Sequence, residues 1–126
     1  MLSDATITAF IATTNPGRSK GFYHDTLGLR LVSDDQFAIA LDCNGIEVRI
    51  QKVEQVLPHQ FTALGWRVPD IRAAVLGLET LGVTFERYSF LEQDENGVWQ
   101  APSGARVAWF KDPDGNLLSL TERAAA

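Results

Sequence analysis

Lys111-Asp112-Pro113-Asp114-Gly115-Asn116 separates two apolar runs, Val107 to Phe110 and Leu117 to Leu120. Proline presets φ for a turn, aspartates accept hydrogen bonds from their own backbone, and glycine takes positive φ without strain. Between strand-forming runs this chemistry predicts a β-hairpin that closes a sheet. On either side of this hairpin the chain reads as one module written twice.

The first copy opens with a β-branched, aromatic-rich strand over Thr6 to Ala12 and a turn at Asn15-Pro16-Gly17. A helix over about Arg18 to Thr26 follows and stops at Gly28, a residue free to take the left-handed conformation past a last helical turn. Strands are expected at Arg30 to Ser33, Gln36 to Leu41 and Ile46 to Val53, with turns at Asp34-Asp35 and Asp42-Cys43-Asn44-Gly45. After Leu57-Pro58-His59 the pattern restarts. Phe61 to Val68 reads as a strand, and Ile71, Val75, Leu78 and Leu81 form a helical stripe that ends at Gly82. Thr84 to Phe90, Val98 to Gln100, Ala105 to Phe110 and Leu117 to Thr121 supply the remaining strands. Leu27-Gly28-Leu29 and Leu81-Gly82-Val83 superpose at a fixed offset along the chain.

The expectation is an α+β fold in one domain spanning 1–126, built of two βαβββ units at 6–57 and 61–122. Each unit's helix covers one sheet face. The other faces curl into cups that together form a cupped mixed β-sheet, with the helices outside. Cups set side by side enclose a cavity of the kind that holds small ligands.

Composition narrows the function. The chain has 126 residues, 45% of them apolar, and a formal net charge of −5 with no run of like charges. Phosphate recognition needs a clustered basic face, so nucleic acid is not an expected partner. The acidic balance suits a cationic small ligand and equally serves solubility. A single cysteine, Cys43, leaves no intramolecular disulfide and fits a reducing compartment. Met1-Leu2-Ser3-Asp4 shows no secretory pattern and no apolar run is of membrane-spanning length, so a soluble cytoplasmic protein is expected, with no membrane partner.

Gly21-Phe22-Tyr23 with Leu27-Gly28-Leu29, then Trp66-Arg67-Val68-Pro69-Asp70-Ile71, then Asp112-Pro113-Asp114-Gly115-Asn116 carry a resemblance. Over roughly Thr6 to Glu122 the chain resembles the vicinal oxygen chelate superfamily. That family includes glyoxalase-type lyases, extradiol dioxygenases, fosfomycin-resistance enzymes and bleomycin-resistance binding proteins. The resemblance implies a homodimer and, for the enzymes, a divalent metal with ligands on the first and last strand of each unit. Those positions fall here at Thr8, Arg49, Ala63 (or Thr62) and Ser119. A guanidinium has no lone pair to give and repels a dication, so no metal or other cofactor is expected.

Strand alternation adds the neighbours of these positions: Phe10 beside Thr8, Glu47 and Gln51 beside Arg49, Gly65 and Arg67 beside Ala63. Arg49 and Arg67 should meet a partner or a ligand, and Glu47 is the local candidate to pair with Arg49. Tyr88, Phe90, Trp99 and Trp109 suggest an aromatic wall, with Glu92, Asp94 and Glu95 beside it for a flat, cationic ligand. Trp66 alternates opposite to Arg67 and belongs to the core. His24, His59 and Cys43 assemble no nucleophilic or acid–base constellation, and read as a helix residue, a loop residue and an inert turn thiol.

The reading that follows is a metal-free small-molecule binder of the bleomycin-resistance or glyoxalase-like type, acting in antibiotic resistance or in metabolism. It would sequester an aromatic or amphipathic compound with Phe10, Arg49, Arg67, Tyr88, Trp99 and Trp109. The alternative is a family enzyme (lyase, isomerase or dioxygenase) that either recruits a metal in an unusual geometry through Glu47, His59 and acidic loop residues, or works without metal, with Arg49 and Arg67 stabilising an oxyanion and Glu47 acting as base. A third reading is a subunit with a vestigial cavity that serves protein contact.

Overall fold

Among the described residues, eight strands, two α-helices and a π-helical stretch (Gly21–Thr26, after α1) follow a short 3-10 turn at Leu2–Asp4: β1 (Thr8–Thr13), α1 (Pro16–Lys20), β2 (Arg30–Asp34), β3 (Ala38–Cys43), β4 (Ile46–Lys52), β5 (Leu64–Arg67), α2 (Ile71–Thr80), β6 (Trp99–Gln100), β7 (Arg106–Lys111) and β8 (Leu117–Glu122). They come from a computed structural model that describes residues 1–125. The chain divides into two units, Met1–Pro58 and the part from His59 onward. The sheets have the same topology. One runs β1-β4-β3-β2 and the other β5-β8-β7-β6. In each, the first strand lies parallel to the last, and the remaining pairs are antiparallel. The duplication seen in the sequence is thus a duplication of strand order and pairing sense.

In the first unit, Asn15 caps α1 by accepting from the Arg18 amide at 3.2 Å, and Pro16 takes the first helical position, where no amide bond is lost. The expected single helix is two pieces. α1 stops at Lys20, and a π-helical stretch, Gly21–Thr26, continues it, with the Leu27 amide reaching back to the Phe22 carbonyl at 2.8 Å. Tyr23, at the centre of that stretch, is fully buried. His24 bonds the Leu29 carbonyl through Nδ1 at 2.7 Å, tying down the chain beyond the turn, which gives this histidine a structural role. Gly28 and Gly82 both have positive φ, 79° and 91°, where the helices end.

In the second unit, Asp70 caps α2 by accepting from the Ala73 amide at 3.1 Å. The Glu122 carboxylate reaches from the end of β8 to accept from the Ile71 amide at 3.0 Å. α2 lies against β7 and β8, and Ile71 and Val75 on its inner side are buried. Phe110, Leu118 and Leu120 form the sheet's buried face, with Trp66 stacked on Phe110 at 6.3 Å. No helix among the described residues is long and apolar enough to cross a membrane.

Thr84 to Phe90 is not the strand its composition suggests. The outer edge of β7 is shared between two segments: Trp99 and Gln100 pair with Val107 and Arg106, while Phe85 makes one isolated bridge to Phe110. With half of that edge taken by β6, the chain after Glu86 leaves the sheet. β1 and β5 likewise begin later than composition suggests, at Thr8 and Leu64.

An exposed network ties the first sheet to its helix. Asp34 at the end of β2 accepts from Lys20 of α1 at 3.2 Å and from Lys52 of β4, and Lys52 also bonds the Asp35 carbonyl. The two lysines hold the Asp34 carboxyl below its ordinary pKa, and the Phe37 and Ala38 amides do the same for Asp35. A lowered carboxylate stabilises the fold above the ordinary aspartate value, and that contribution is lost as pH falls through the lowered one. Below about pH 4, wild-type protein should therefore lose thermal stability more steeply than the Asp34→Asn variant. Parallel Tm profiles from pH 6 to pH 2 would show that the network contributes nothing.

Candidate functional site

Side chains in register across paired strands project from the same face. In the first sheet Thr8 stands opposite Glu47, and Phe10 opposite Arg49 and then Ala40. These groups and Gln51 lie on the face opposite the buried Ile11, Ile39 and Ile50. Phe10 is 56% exposed, an unusual position for a phenylalanine. Among the described residues Glu47 does not pair with Arg49 within 4.0 Å; adjacent positions on one strand face leave both side chains pointing outward. Arg49 instead lies near enough to Asp35 to help lower that carboxyl.

In the second sheet the corresponding rows are Gly65–Ser119–Trp109 and Arg67–Thr121–Val107–Trp99. They lie opposite the face that α2 covers. The row containing Phe10 and Arg49 in one unit matches the row containing Gly65 and Ser119 in the other. Gly65 has a role here, because a Cβ on it would stand 2.7 Å from the Ser119 hydroxyl. The glycine lets Ser119 lean across the sheet and leaves a shallow floor.

Beside that floor the aromatic residues come together. Trp99 and Trp109 have ring centroids 6.0 Å apart at 33°, Tyr88 meets the edge of Trp109 at 5.6 Å, and Phe90 adjoins Tyr88 at 5.5 Å. Four rings in sequence make a continuous wall on one face, with Phe90 80% exposed at its end. Burial is the main cause of a raised pKa for the Tyr88 phenol, with the Glu86 carboxylate adding to it and Lys111 opposing. Tyr88 therefore stays a neutral hydrogen-bond donor at physiological pH.

The carboxylates expected beside this wall are elsewhere. Glu92 and Asp94 line a cleft of about 310 Å³ on the α2 side, together with Ile71, Arg72, Val98, Gln100 and Arg106. Glu95 pairs with Arg72 at 3.1 Å. Asp94 Oδ1 accepts from the amides of Asn96 and Val98 and so shapes the Asp94–Gly97 turn. That turn is what carries these acidic groups to the helix side while Trp99 faces the other way.

One contributor had no signal in the sequence. The Gln93 amide accepts from the Tyr88 amide at 2.7 Å and donates to the carbonyls of Glu86 at 3.0 Å and Gly97 at 2.9 Å. It substitutes for a neighbouring strand along the Glu86–Tyr88 segment, and so positions Tyr88 against Trp109. His59 lies exposed and stacked on Phe61 at 4.8 Å, and Cys43 ends β3 half-buried.

The superfamily's metal positions offer two hydroxyls, a guanidinium and a methyl group at Thr8, Ser119, Arg49 and Ala63. A divalent cation held by protein needs imidazole, carboxylate or thiolate donors, so this set does not fit one. Among the described residues no three His, Cys, Asp or Glu side chains are grouped to hold a metal ion.

Residues 6–120 match the Glyoxalase/Bleomycin resistance protein/Dioxygenase superfamily, and the chain belongs to that family. Among solved structures it is similar to a member of the superfamily from Sphaerobacter thermophilus, with 25% identity, 98% of this chain and 100% of the other covered, and a TM-score of 0.76. A glyoxalase family protein from Enterococcus faecalis is 21% identical over 97% of this chain and 100% of its own, with a TM-score of 0.75. A lactoylglutathione lyase from Agrobacterium tumefaciens is 16% identical over 94% and 93%, with a TM-score of 0.70. No functionally curated protein matches.

Gln93→Ala should leave the Tyr88 amide and two carbonyls short of partners, costing about 1–3 kcal/mol. Urea unfolding measures the loss. The Tyr88 ring resonances should shift with it, since the ring loses its fixed place against Trp109. Unchanged stability together with unchanged Tyr88 shifts would show that Gln93 does not hold this segment.

Proposed function

We propose that this protein binds a small aromatic or amphipathic molecule without a metal, and that the wall Phe90–Tyr88–Trp109–Trp99 is where the flat part of that molecule stacks. The observation that carries the reading is the continuity of the four rings, at 5.5, 5.6 and 6.0 Å, on a sheet face that α2 leaves uncovered. Protein folding alone calls for no such arrangement: the core of this unit is already filled on the opposite face by Trp66, Phe110, Leu118 and Leu120. Aromatic rings present large, rigid apolar area at low entropic cost, which suits capture of planar ligands. Sequestration requires no bond-making, and so fits units whose family metal positions hold Thr8 and Arg49 in the first and Ala63 and Ser119 in the second.

The same reading accounts for Tyr88. A neutral phenol on the wall can donate to a ligand oxygen, and its raised pKa makes it a poor general base. Resistance by sequestration, and assembly as a homodimer in the cytoplasm, are the corresponding proposals for physiological setting.

Titration with 2-naphthol should quench tryptophan emission, and Trp99→Ala should weaken that binding by about tenfold while far-UV circular dichroism stays unchanged. Trp66→Phe, on the opposite face, should leave the affinity as it was. Equal affinities of wild type and Trp99→Ala would rule out stacking on this wall.

A further inference from the structure

The aromatic-face reading leaves the charge of the ligand open, and the charges on that face point to an answer. Arg67, Thr121, Val107 and Trp99 form a single row across the four strands of the second sheet, so the guanidinium and the indole share a face at opposite edges. Arg67 lies two strands from Trp109, roughly 10 Å across the sheet. Between them runs β8, which presents the hydroxyls of Ser119 and Thr121, with Gly65 adding no side chain at all. The rings thus stand at one side of a shallow polar floor and an arginine at the other.

Arg67 shares a cleft of about 340 Å³ with Val68, Pro69, Glu122 and Arg123, where the Glu122 carboxylate is already engaged by Arg106 and the Ile71 amide and Arg123 adds a second positive charge. Lys111 is paired with Glu86 at 3.4 Å. Among the described residues the Arg67 side chain has neither an ion pair nor a hydrogen bond, although those of Arg72, Arg87 and Arg106 in the same unit are all engaged. The carboxylates that could attract a cation, Glu92 and Asp94, line the cleft on the helix side. A cationic ligand on the wall would meet ring faces and an unneutralised arginine. An anionic one would meet the fork that grips a carboxylate with two parallel hydrogen bonds.

We propose that the ligand is an aromatic anion: a flat ring on the Trp99–Trp109–Tyr88 wall, joined by a short tether to a carboxylate or similar oxyanion held by Arg67. This assignment rests on the aromatic-face reading, and the test separates the two. Three probes share one ring and differ only in charge: 3-(2-naphthyl)propionate, its neutral amide, and 3-(2-naphthyl)propylamine. Tryptophan quenching of the Trp66→Phe protein reports binding from Trp99 and Trp109 alone.

The propionate should bind about fivefold tighter than the amide, as an exposed charge-assisted contact allows, with the amine weakest. Arg67→Gln should bring the acid-to-amide ratio to about one, and Arg67→Lys, which keeps the charge without the fork, should restore part of it. Trp99→Ala should weaken all three probes. An amine that binds tightest, or an Arg67→Gln effect equal for all three, overturns the anion assignment while the aromatic face stands. If Trp99→Ala changes none of them, or none quenches the protein, the aromatic-face reading fails and this inference fails with it.

Discussion

The Asp112 carboxylate sets the register on which the candidate site depends. It is buried, and one of its oxygens accepts from the amides of Asp114 and Asn116, each at 2.9 Å, while the other accepts from the Asn116 side chain at 2.8 Å. Gly115 completes the turn at a φ of 86°. The turn holds Lys111 opposite Leu117, and from there every pair along the hairpin follows, including Trp109 with Ser119 and Val107 with Thr121. A slip of one residue would move every β7 side chain to the other face. Trp109 would then go into the core and Phe110 into solvent, dismantling core and aromatic wall together.

Because the register is fixed, the sheet can divide its labour between faces. One side of β5, β7 and β8 is apolar and lies under α2; the other carries Trp109, the Ser119 and Thr121 hydroxyls, Arg67 and the paired Lys111, with Trp99 and Tyr88 alongside. The superfamily fold supplies this division twice, and this chain uses it unevenly. In the first unit the open face carries Phe10 among polar and charged groups, Glu47, Arg49 and Gln51. In the second, four rings adjoin one another.

Much of this was legible from residues alone, and the reasons are local. Gly28 and Gly82 announce the helix ends because only positive φ suits those positions, and period-two alternation placed Trp66 and Arg67 on opposite faces. The glycine and the DPDG turn act within a few residues of themselves. What was not legible depends on tertiary competition. Thr84 to Phe90 has strand composition, yet β6 takes half of the β7 edge on which Phe85 makes its one bridge. The position of Glu92, Asp94 and Glu95 is decided by the Asp94–Gly97 turn, which reverses direction in a way that no periodicity reports. Gln93 carries no pattern at all, since its importance lies in three backbone groups that happen to be left without strand partners. The π-helical stretch at Gly21–Thr26 is similarly invisible, because it preserves helical composition while changing the hydrogen-bond spacing.

The central claim is that the open face of the second sheet, and not its helix-covered side, receives the ligand. The three tryptophan indole N–H resonances in a ¹H–¹⁵N spectrum test it most directly, because Trp66 lies on the covered face and Trp99 and Trp109 on the open one. During titration with 3-(2-naphthyl)propionate, the resonances of Trp99 and Trp109 should move together along one saturation curve while that of Trp66 stays in place. Movement of Trp66 with the other two unperturbed would contradict the account.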